Sequence, residues 1–284
     1  MFLLCIFFGT LVGISLGLTG GGGAIFAVPM LVYGLHLPAR DAVVISLLSI
    51  GITSAFGFVQ KWKHRDAELR TGLLFAAAGM IGAPVGTWMA RQLPEAILML
   101  LFAGLMISIS VVMWRKGRRS TTSRECLPVE RGIVPQDYHR DGPRCQRDAA
   151  GNLILTSRCA RLLLLAGVIS GALSGMFGVG GGFIIVPALV VFSSMSMSRA
   201  VGTSLLVISL VSTSGIVSQL MLGQAINWQV TSLFALGGLI GLGIGTKVSY
   251  RLSPSALQKT FSVAILVVAT FVLIRNLSAI SLFR

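Results

Sequence analysis

Long apolar stretches alternate with short polar ones along most of the chain. The apolar stretches cover about 2–33, 42–60, 71–90 and 96–114, and then about 161–192, 200–222, 229–250 and 256–275. A helix needs about 20 predominantly apolar residues to cross a bilayer. The pattern therefore predicts an all-α polytopic membrane protein with two sets of four hydrophobic segments.

A polar tract divides these two sets and gives the chain three parts. We expect a first membrane repeat over 1–114, a basic cytoplasmic linker over 115–160 and a second membrane repeat over 161–284. The linker contains several prolines and glycines and is expected to be mostly irregular. It also holds or adjoins three of the four cysteines, Cys126, Cys145 and Cys159, whose spacing matches no zinc site.

Two glycine clusters interrupt otherwise apolar segments. The stretch GLTGGGGAIFAVP runs from Gly17 to Pro29, and GMFGVGGGFIIVP runs from Gly175 to Pro187. Each glycine costs a helix interior about 1 kcal/mol relative to alanine. The pattern predicts that each repeat opens with a helix broken at its glycines, with Pro29 and Pro187 as further helix-break or hinge positions.

The two clusters belong to an internal duplication. Gly20 and Gly178, Pro29 and Pro187, and Ser46 and Ser204 are all separated by 158 positions. The match extends through later glycines with an offset of 159 and includes everything except the linker. The sequence thus predicts two homologous repeats of about 100 residues.

The charges of the loops predict how these repeats lie in the membrane. The loop 61–70 and the linker are both basic and are separated by two spans, so both are expected on the cytoplasmic side. In the second repeat the loop equivalent to 61–70 has no charge, and the basic residues lie in the alternate loops. This switch predicts inverted repeats.

Inversion requires an odd number of crossings in each repeat. We expect the first segment of each repeat to enter the membrane and turn back at its glycines, which gives six full spans, two re-entrant elements and both termini outside. Eight simple spans, with parallel repeats and cytoplasmic termini, are the alternative.

The composition and the distribution of charge limit the classes of protein to which the chain can belong. The 284 residues are 54% hydrophobic and 11% charged, with a mean hydropathy of +0.86 and a net charge of +14. Of the 23 Lys and Arg residues, 11 lie between Arg115 and Arg161. Because the positive charge is concentrated in loops beside apolar spans, it indicates membrane topology and not a nucleic-acid partner.

The glycine breaks are the candidate substrate site. A helix that starts at a break presents free backbone N–H groups and a partial positive charge, and glycines allow an anion to approach them closely. Hydroxyl groups nearby could complete the hydrogen bonds to a small anion. The predicted substrate-binding residues are Thr19, Gly20, Gly21, Gly22, Gly23, Ser46, Gly178, Gly180, Gly181, Gly182, Thr203 and Ser204.

Other glycines and two arginines of the chain have a structural interpretation beside a functional one. Small residues also let membrane helices pack closely, and this is the better interpretation of Gly237, Gly241 and Gly245 and of Gly82 and Gly86. Arg40 and Arg199, just before the second span of each half, could attract an anion or anchor a helix end. We predict no catalytic residue, metal site or cofactor, because no histidine pair, metal-ligand spacing or ATP-binding motif is present.

The paired motifs GLTGGGGAIFAVPML and GMFGVGGGFIIVPAL resemble those of the TauE/SafE family of sulfite exporters, and ARDAVVISLL and SRAVGTSLLVISL are similar to the pattern that follows. The resemblance implies a permease of the bacterial inner membrane that transports small sulfur-containing anions such as sulfite or organosulfonates. Its partners would be that anion and the lipid bilayer, and a homo-oligomer is left open.

Three functions are alternatives to a permease that acts as a secondary transporter. A channel-like anion pathway would differ from a carrier by lacking trans-stimulation. A structural or assembly subunit would act through the basic linker. A membrane-embedded enzyme or redox subunit is disfavoured, because no nucleophile–base pair or metal cluster is visible in the apolar segments.

Overall fold

The computed structural model describes residues 2–63, 68–122, 146–147, 153–154, 157–193, 197–249 and 263–275. Its helices are α1 (Phe2–Thr19), α2 (Gly22–Gly34), α3 (Ala39–Lys63), α4 (Leu69–Gln92), α5 (Glu95–Thr122), α6 (Ser157–Phe177), α7 (Gly182–Ser193), α8 (Met197–Met221), α9 (Trp228–Ser249) and α10 (Val263–Arg275). Two short strands, β1 (Gln146–Arg147) and β2 (Leu153–Ile154), pair antiparallel within the linker. The described residues are thus almost entirely helical.

The helices extend into both ends of the predicted linker. Helix α5 continues to Thr122, and α6 begins at Ser157. The expected irregular connector is therefore shorter than 115–160. The rest of that tract, and the side chains of Cys126, Cys145 and Cys159, lie outside the described residues.

Among the described residues, six helices are long and apolar enough to cross a membrane: α1, α3, α4, α6, α8 and α9. Three further apolar stretches of helix are shorter: Gly22–Gly34, Glu95–Val111 within α5, and Val263–Arg275. The number agrees with the six predicted spans, but the members differ. By length alone, α1 and α6 qualify, although they open the segments predicted to turn back.

Helices α1 and α2 form a hairpin, which we call the first hairpin. Gly23 lies against Ser15 and Leu16, and Gly34 lies against the ring of Phe8 near the other end of α1. Helix α2 therefore runs back along α1. It is irregular, with a 3₁₀ turn over Gly22–Phe26, an α turn over Ala27–Pro29 and a π turn over Met30–Gly34.

Helices α6 and α7 form the second hairpin. Gly181, in the turn between them, lies against the carbonyl group of Ser170. Helix α7 continues through Pro187 without a break. In this half the backbone breaks at the glycines and not at Pro187, because a single proline removes one helical hydrogen bond whereas several left-handed glycines end the helix outright.

Each hairpin packs against a long helix of the other half through glycines. Gly13 of α1 lies against Gly238 of α9, and farther along Gly17 lies against Leu242. These contacts advance in the same direction along both helices, so α1 and α9 run parallel. Helices α6 and α4 pack in the same way, with Gly167 near Phe75, Gly171 near Gly79 and Gly175 near Ala83.

Helices α3 and α8 form the centre of the bundle and run antiparallel. Gly57 of α3 lies against Leu205 of α8, and Gly215 of α8 lies against Leu47 of α3. Both contacts involve residues that are equivalent across the duplication, since 47 and 205, and 57 and 215, differ by 158 positions. The same leucine–glycine contact thus occurs twice between the two central helices, once with the leucine on α3 and once with the leucine on α8.

Candidate functional site

Helices α1 and α6 each end at a glycine in the left-handed conformation. Gly20 has φ of 72°, and Gly178 has φ of 71°. The N–H groups of Gly20 and Gly178 donate to the carbonyls of Leu16 and Ser174, at 2.7 and 2.8 Å. Left-handed glycine is the common way to end a helix, because it has no Cβ to clash with the backbone. The duplicated motif therefore folds into the same helix end twice.

Each of these helix ends is held by a serine from the other half of the chain. The Ser46 hydroxyl on α3 donates to the carbonyl of Gly178 at 2.7 Å. The Ser204 hydroxyl on α8 donates to the carbonyl of Gly20. Both serines are fully buried. Each hydroxyl also lies 2.8 Å from a carbonyl of its own helix, that of Val43 or Val201, so its single proton is shared between two acceptors and neither serine is free to donate to an anion.

These contacts show how deep within the helix bundle each hairpin turn lies. Ser204 is seven residues from the start of α8 at Met197, and Ser46 is seven residues from the start of α3 at Ala39. At ~1.5 Å per residue, each hairpin turn therefore lies about 10 Å inward from the first residue of the helix whose serine it contacts. The glycine turns are therefore inside the bundle and do not lie at its ends.

The two glycine breaks meet at the centre of the bundle. Gly21 lies against the backbone of Gly182, which begins α7. The Ile208 side chain contacts both positions and also Gly180, and the Ile50 side chain contacts Gly180 from α3. The region where the breaks meet is thus lined by glycine backbone and by a matched pair of isoleucines.

Three buried serine hydroxyls have no hydrogen-bond partner among the described residues: Ser54, Ser174 and Ser212. All three are fully buried. A buried hydroxyl without a partner costs about 1–3 kcal/mol, so such groups are uncommon. Ser54 and Ser212 occupy equivalent positions of α3 and α8, 158 residues apart. The same unsatisfied group therefore occurs in both halves.

Ser212 lies beside the second glycine break. Its hydroxyl oxygen is 3.5 Å from the position that a Cβ on Gly180 would occupy. Gly180 and Gly181 have φ of 67° and 68°, so their amides lie in a turn and not in a helix. Among the described hydrogen bonds, none is made by the N–H group of either residue. Backbone donors and an unused hydroxyl are thus close together at this break.

Thr19 and Thr203, two other predicted site residues, make structural bonds. The Thr19 hydroxyl donates to the carbonyl of Ser15 at 2.7 Å and accepts from the N–H of Gly23 at 3.1 Å, which closes the first hairpin turn. The Thr203 hydroxyl accepts from the N–H of Glu68 at 3.0 Å, near the start of α4. Thr203 therefore contacts the loop between α3 and α4 and not a glycine break.

The structure brings together the predicted glycines of both breaks, and it uses the hydroxyls of Ser46, Ser204 and Thr19 to bond their backbone, whereas Thr203 bonds elsewhere. The sequence places Ser54, Ser174 and Ser212, the hydroxyls without partners, among the polar side chains of the apolar segments that could bind an anion, but the list of predicted site residues does not include them. A signal for two of them exists in the sequence: Ser54 and Ser212 keep the offset of 158 that relates Ser46 to Ser204. Periodicity alone could not say which matched pair is already bonded.

The apolar helices and their lengths define a multi-pass α-helical membrane protein. Comparison with known proteins adds the family: the family described as Sulfite exporter TauE/SafE matches residues 5–272. The chain belongs to this family, as the glycine and proline motifs predicted. It is a membrane transporter of the bacterial inner membrane.

Named relatives agree with this assignment over nearly their full length. A "Probable membrane transporter protein" of Xylella fastidiosa (strain Temecula1) is 32% identical over 275 residues, which cover 94% of this chain and 93% of the relative. The "Probable membrane transporter protein YunE" of Bacillus subtilis is 26% identical, with 91% of each chain covered. No solved structure matches the chain.

Proposed function

We propose that this protein is a secondary transporter of small sulfur-containing oxyanions, such as sulfite or organosulfonates, and that the anion binds at the glycine breaks. The family carries the description Sulfite exporter TauE/SafE. The relatives are named as probable membrane transporter proteins, and their names state no substrate. The choice of a sulfur oxyanion therefore rests on the family and on the chemistry of the site.

The observation that carries the proposal is the unpartnered Ser212 hydroxyl beside Gly180 in the bundle centre. An oxyanion would accept hydrogen bonds from this hydroxyl and from the N–H groups of Gly180 and Gly181. The N-terminal end of α7 adds a partial positive charge. Such a site attracts an anion without a buried lysine or arginine, whose charge would be costly inside a membrane.

Within the predicted set, we propose different roles for the glycines and the hydroxyl residues. The glycines of the second break would contact the anion, and those of the first break would form the opposing wall, with Ser54 as the counterpart of Ser212. Ser46, Ser204, Thr19 and Thr203 would hold the hairpins and the adjacent loop in place, because their hydroxyls are engaged there.

We further propose that the repeats over 1–114 and 161–284 are inverted. Equivalent helices of two repeats run antiparallel when the axis that relates the repeats lies in the membrane plane. The antiparallel packing of α3 and α8, with matched contacts of Leu47 with Gly215 and of Leu205 with Gly57, supports this arrangement. Both hairpins would then be deep re-entrant elements that approach the midplane from opposite sides.

The proposal predicts saturable flux of sulfite into proteoliposomes that contain the purified protein. Sulfate and an organosulfonate would be tested as competitors, and preloading with unlabelled substrate would test for trans-stimulation. Flux that saturates and is accelerated from the trans side would support a carrier. Flux without trans-stimulation would favour the channel alternative, and no flux of any sulfur anion would contradict the proposed substrate class.

A further inference from the structure

A second polar site lies where the start of α3 meets the ends of α4 and α8, and it does not include the Ser212 hydroxyl. A cavity there is lined by Arg40, Arg91, Gln219 and Gln224, with Thr87 and Met176 among its other walls. Two arginines and two glutamines from three separate segments therefore converge on one space. Nothing in the proposed transport site uses any of them.

The charge of this cavity is positive. Both charged residues that line it are arginines, and within the described part of the chain neither makes an ion pair. The nearest acidic side chain on α3, Asp41, accepts a hydrogen bond at 2.8 Å from the amide of Gln224. This carboxylate is therefore engaged by a side chain that lines the cavity, and the two arginines leave a net positive charge around it.

A third donor lies deeper in the same cavity. Gln219 is only 7% exposed, yet it lines the cavity. Among the described hydrogen bonds, none is made by its side-chain amide. Two guanidinium groups and one amide can together satisfy several oxygens of a tetrahedral or pyramidal oxyanion, and arginine is suited to bind such groups through paired N–H donors.

The cavity also adjoins the second glycine break. Val43 lines the cavity, and its backbone lies against Gly178, where α6 ends. Met176, two residues before Gly178, lines it too. An anion held by the arginines would thus lie on the same side of the bundle as the turn that leads to Gly180 and Gly181.

We infer that this cavity is an antechamber that binds the oxyanion before it reaches the glycine breaks, with Arg40 and Arg91 as its recognition residues. The inference rests on the proposed transport function and adds an entry site to it. By the orientation of the basic loops, the antechamber opens on the external face, opposite loop 61–70. The enclosed space is about 20 Å³, room for about one water molecule, so its ligand, a small sulfonate or sulfite-like anion, would bind at the open mouth of the cavity.

The other face differs at the corresponding positions. The equivalent of Gln219 is Lys61, and the equivalent of Asp41 is Arg199. Arg199 lies 3.8 Å from the carboxylate of Glu68. A cation on that face is therefore already opposed by an acid, whereas the arginines of the antechamber are not. The two entrances would consequently differ in affinity for the same anion.

The first test measures transport kinetics from the external face. In proteoliposomes sorted by an N-terminal tag, which lies on the same face as the start of α3, Arg40→Gln and Arg91→Gln should each raise the KM for external substrate about tenfold. The kcat should change little. Arg91→Lys should retain part of the affinity, and Arg70→Gln, at the other end of the same helix, should behave as wild type.

The second test detects binding without transport. Methanesulfonate should raise the Tm of the detergent-solubilised full chain, and the shift should disappear in the Arg40→Gln/Arg91→Gln double variant but persist in Arg70→Gln. An arginine-dependent shift without any flux would support the antechamber while contradicting the transport proposal. A full shift in the double variant, no shift in wild type, or flux with an unchanged KM in the double variant would overturn the antechamber.

Discussion

Ser204 on α8 donates a hydrogen bond to the carbonyl oxygen of Gly20, the residue at which α1 ends. The same bond occurs a second time with the halves exchanged, from Ser46 on α3 to Gly178 at the end of α6. Each half of the chain thus holds the hairpin of the other half. The duplicated halves are therefore interlocked and cannot be regarded as independent domains placed side by side.

Loss of either interlocking hydroxyl should destabilise the protein. Ser46→Ala or Ser204→Ala leaves a buried glycine carbonyl without its partner, which costs about 1–3 kcal/mol. We expect a lower Tm in thermal unfolding of the detergent-solubilised protein. The control is Ser108→Ala, whose hydroxyl bonds only to its own helix at an exposed position. A Tm equal to that of the control would contradict the interlocking role.

Glycine packing between α4 and α6 should be equally sensitive to small substitutions. A Cβ at Gly86 would overlap with the carbonyl oxygen of Ala172, so Gly86→Ala should force the helices apart and lower the yield and the Tm. Gly104 and Gly243 have open space around them, and alanine there should be neutral or stabilise by up to ~1 kcal/mol. Equal behaviour of all three variants would contradict the packing assignment.

The second glycine break should lose both stability and transport when its backbone is constrained. Gly180→Ala places a side chain at positive φ, at a cost of about 1–2 kcal/mol, and also crowds Ile208. Gly223→Ala is the matched control, because Gly223 has φ of 79° but open surroundings. We expect Gly223→Ala to lower the Tm while flux per folded molecule persists. Normal flux in Gly180→Ala would count against a site at this break.

Inverted repeats place equivalent loops on opposite faces of the membrane. With the native cysteines replaced, single cysteines would be introduced at Gly223, between α8 and α9, and at Arg70, after the loop between α3 and α4. A membrane-impermeant thiol reagent added to intact cells should label the Gly223 position and should reach position 70 only after the membrane is opened. Labelling of both from one side would indicate parallel repeats.

Much of the fold follows from patterns that a single sequence carries. The apolar segments predict the long helices because a continuous apolar segment of about 20 residues satisfies its own backbone hydrogen bonds in hydrocarbon only as a helix. The glycine clusters predict the breaks because consecutive glycines disfavour a helix and permit positive φ at Gly20 and Gly178. The 158-residue offset predicts the same helix end at Gly20 and Gly178, but the turns that follow differ, because Gly180 and Gly181 have positive φ whereas their equivalents Gly22 and Gly23 do not.

The bonding state of individual hydroxyls could not be predicted in this way. Ser46 and Ser54 lie on the same helix, and each has a matched partner in α8, so periodicity treats them alike. Only the crossing of the hairpins determines that Ser46 meets the Gly178 carbonyl whereas Ser54 meets no partner. The pairing of Arg40 with Arg91 around one cavity likewise depends on contacts between distant segments.

The most direct test of the account is sulfite flux in proteoliposomes containing Ser212→Ala, with Ser54→Ala as its counterpart and Ser108→Ala as the control. Removal of an unsatisfied buried hydroxyl should leave the Tm unchanged or raise it. Loss of one hydrogen bond to a charged substrate should lower flux by about tenfold or more. A stable Ser212→Ala protein with low flux is the predicted result, and a stable protein with wild-type flux would contradict a substrate site at the glycine breaks.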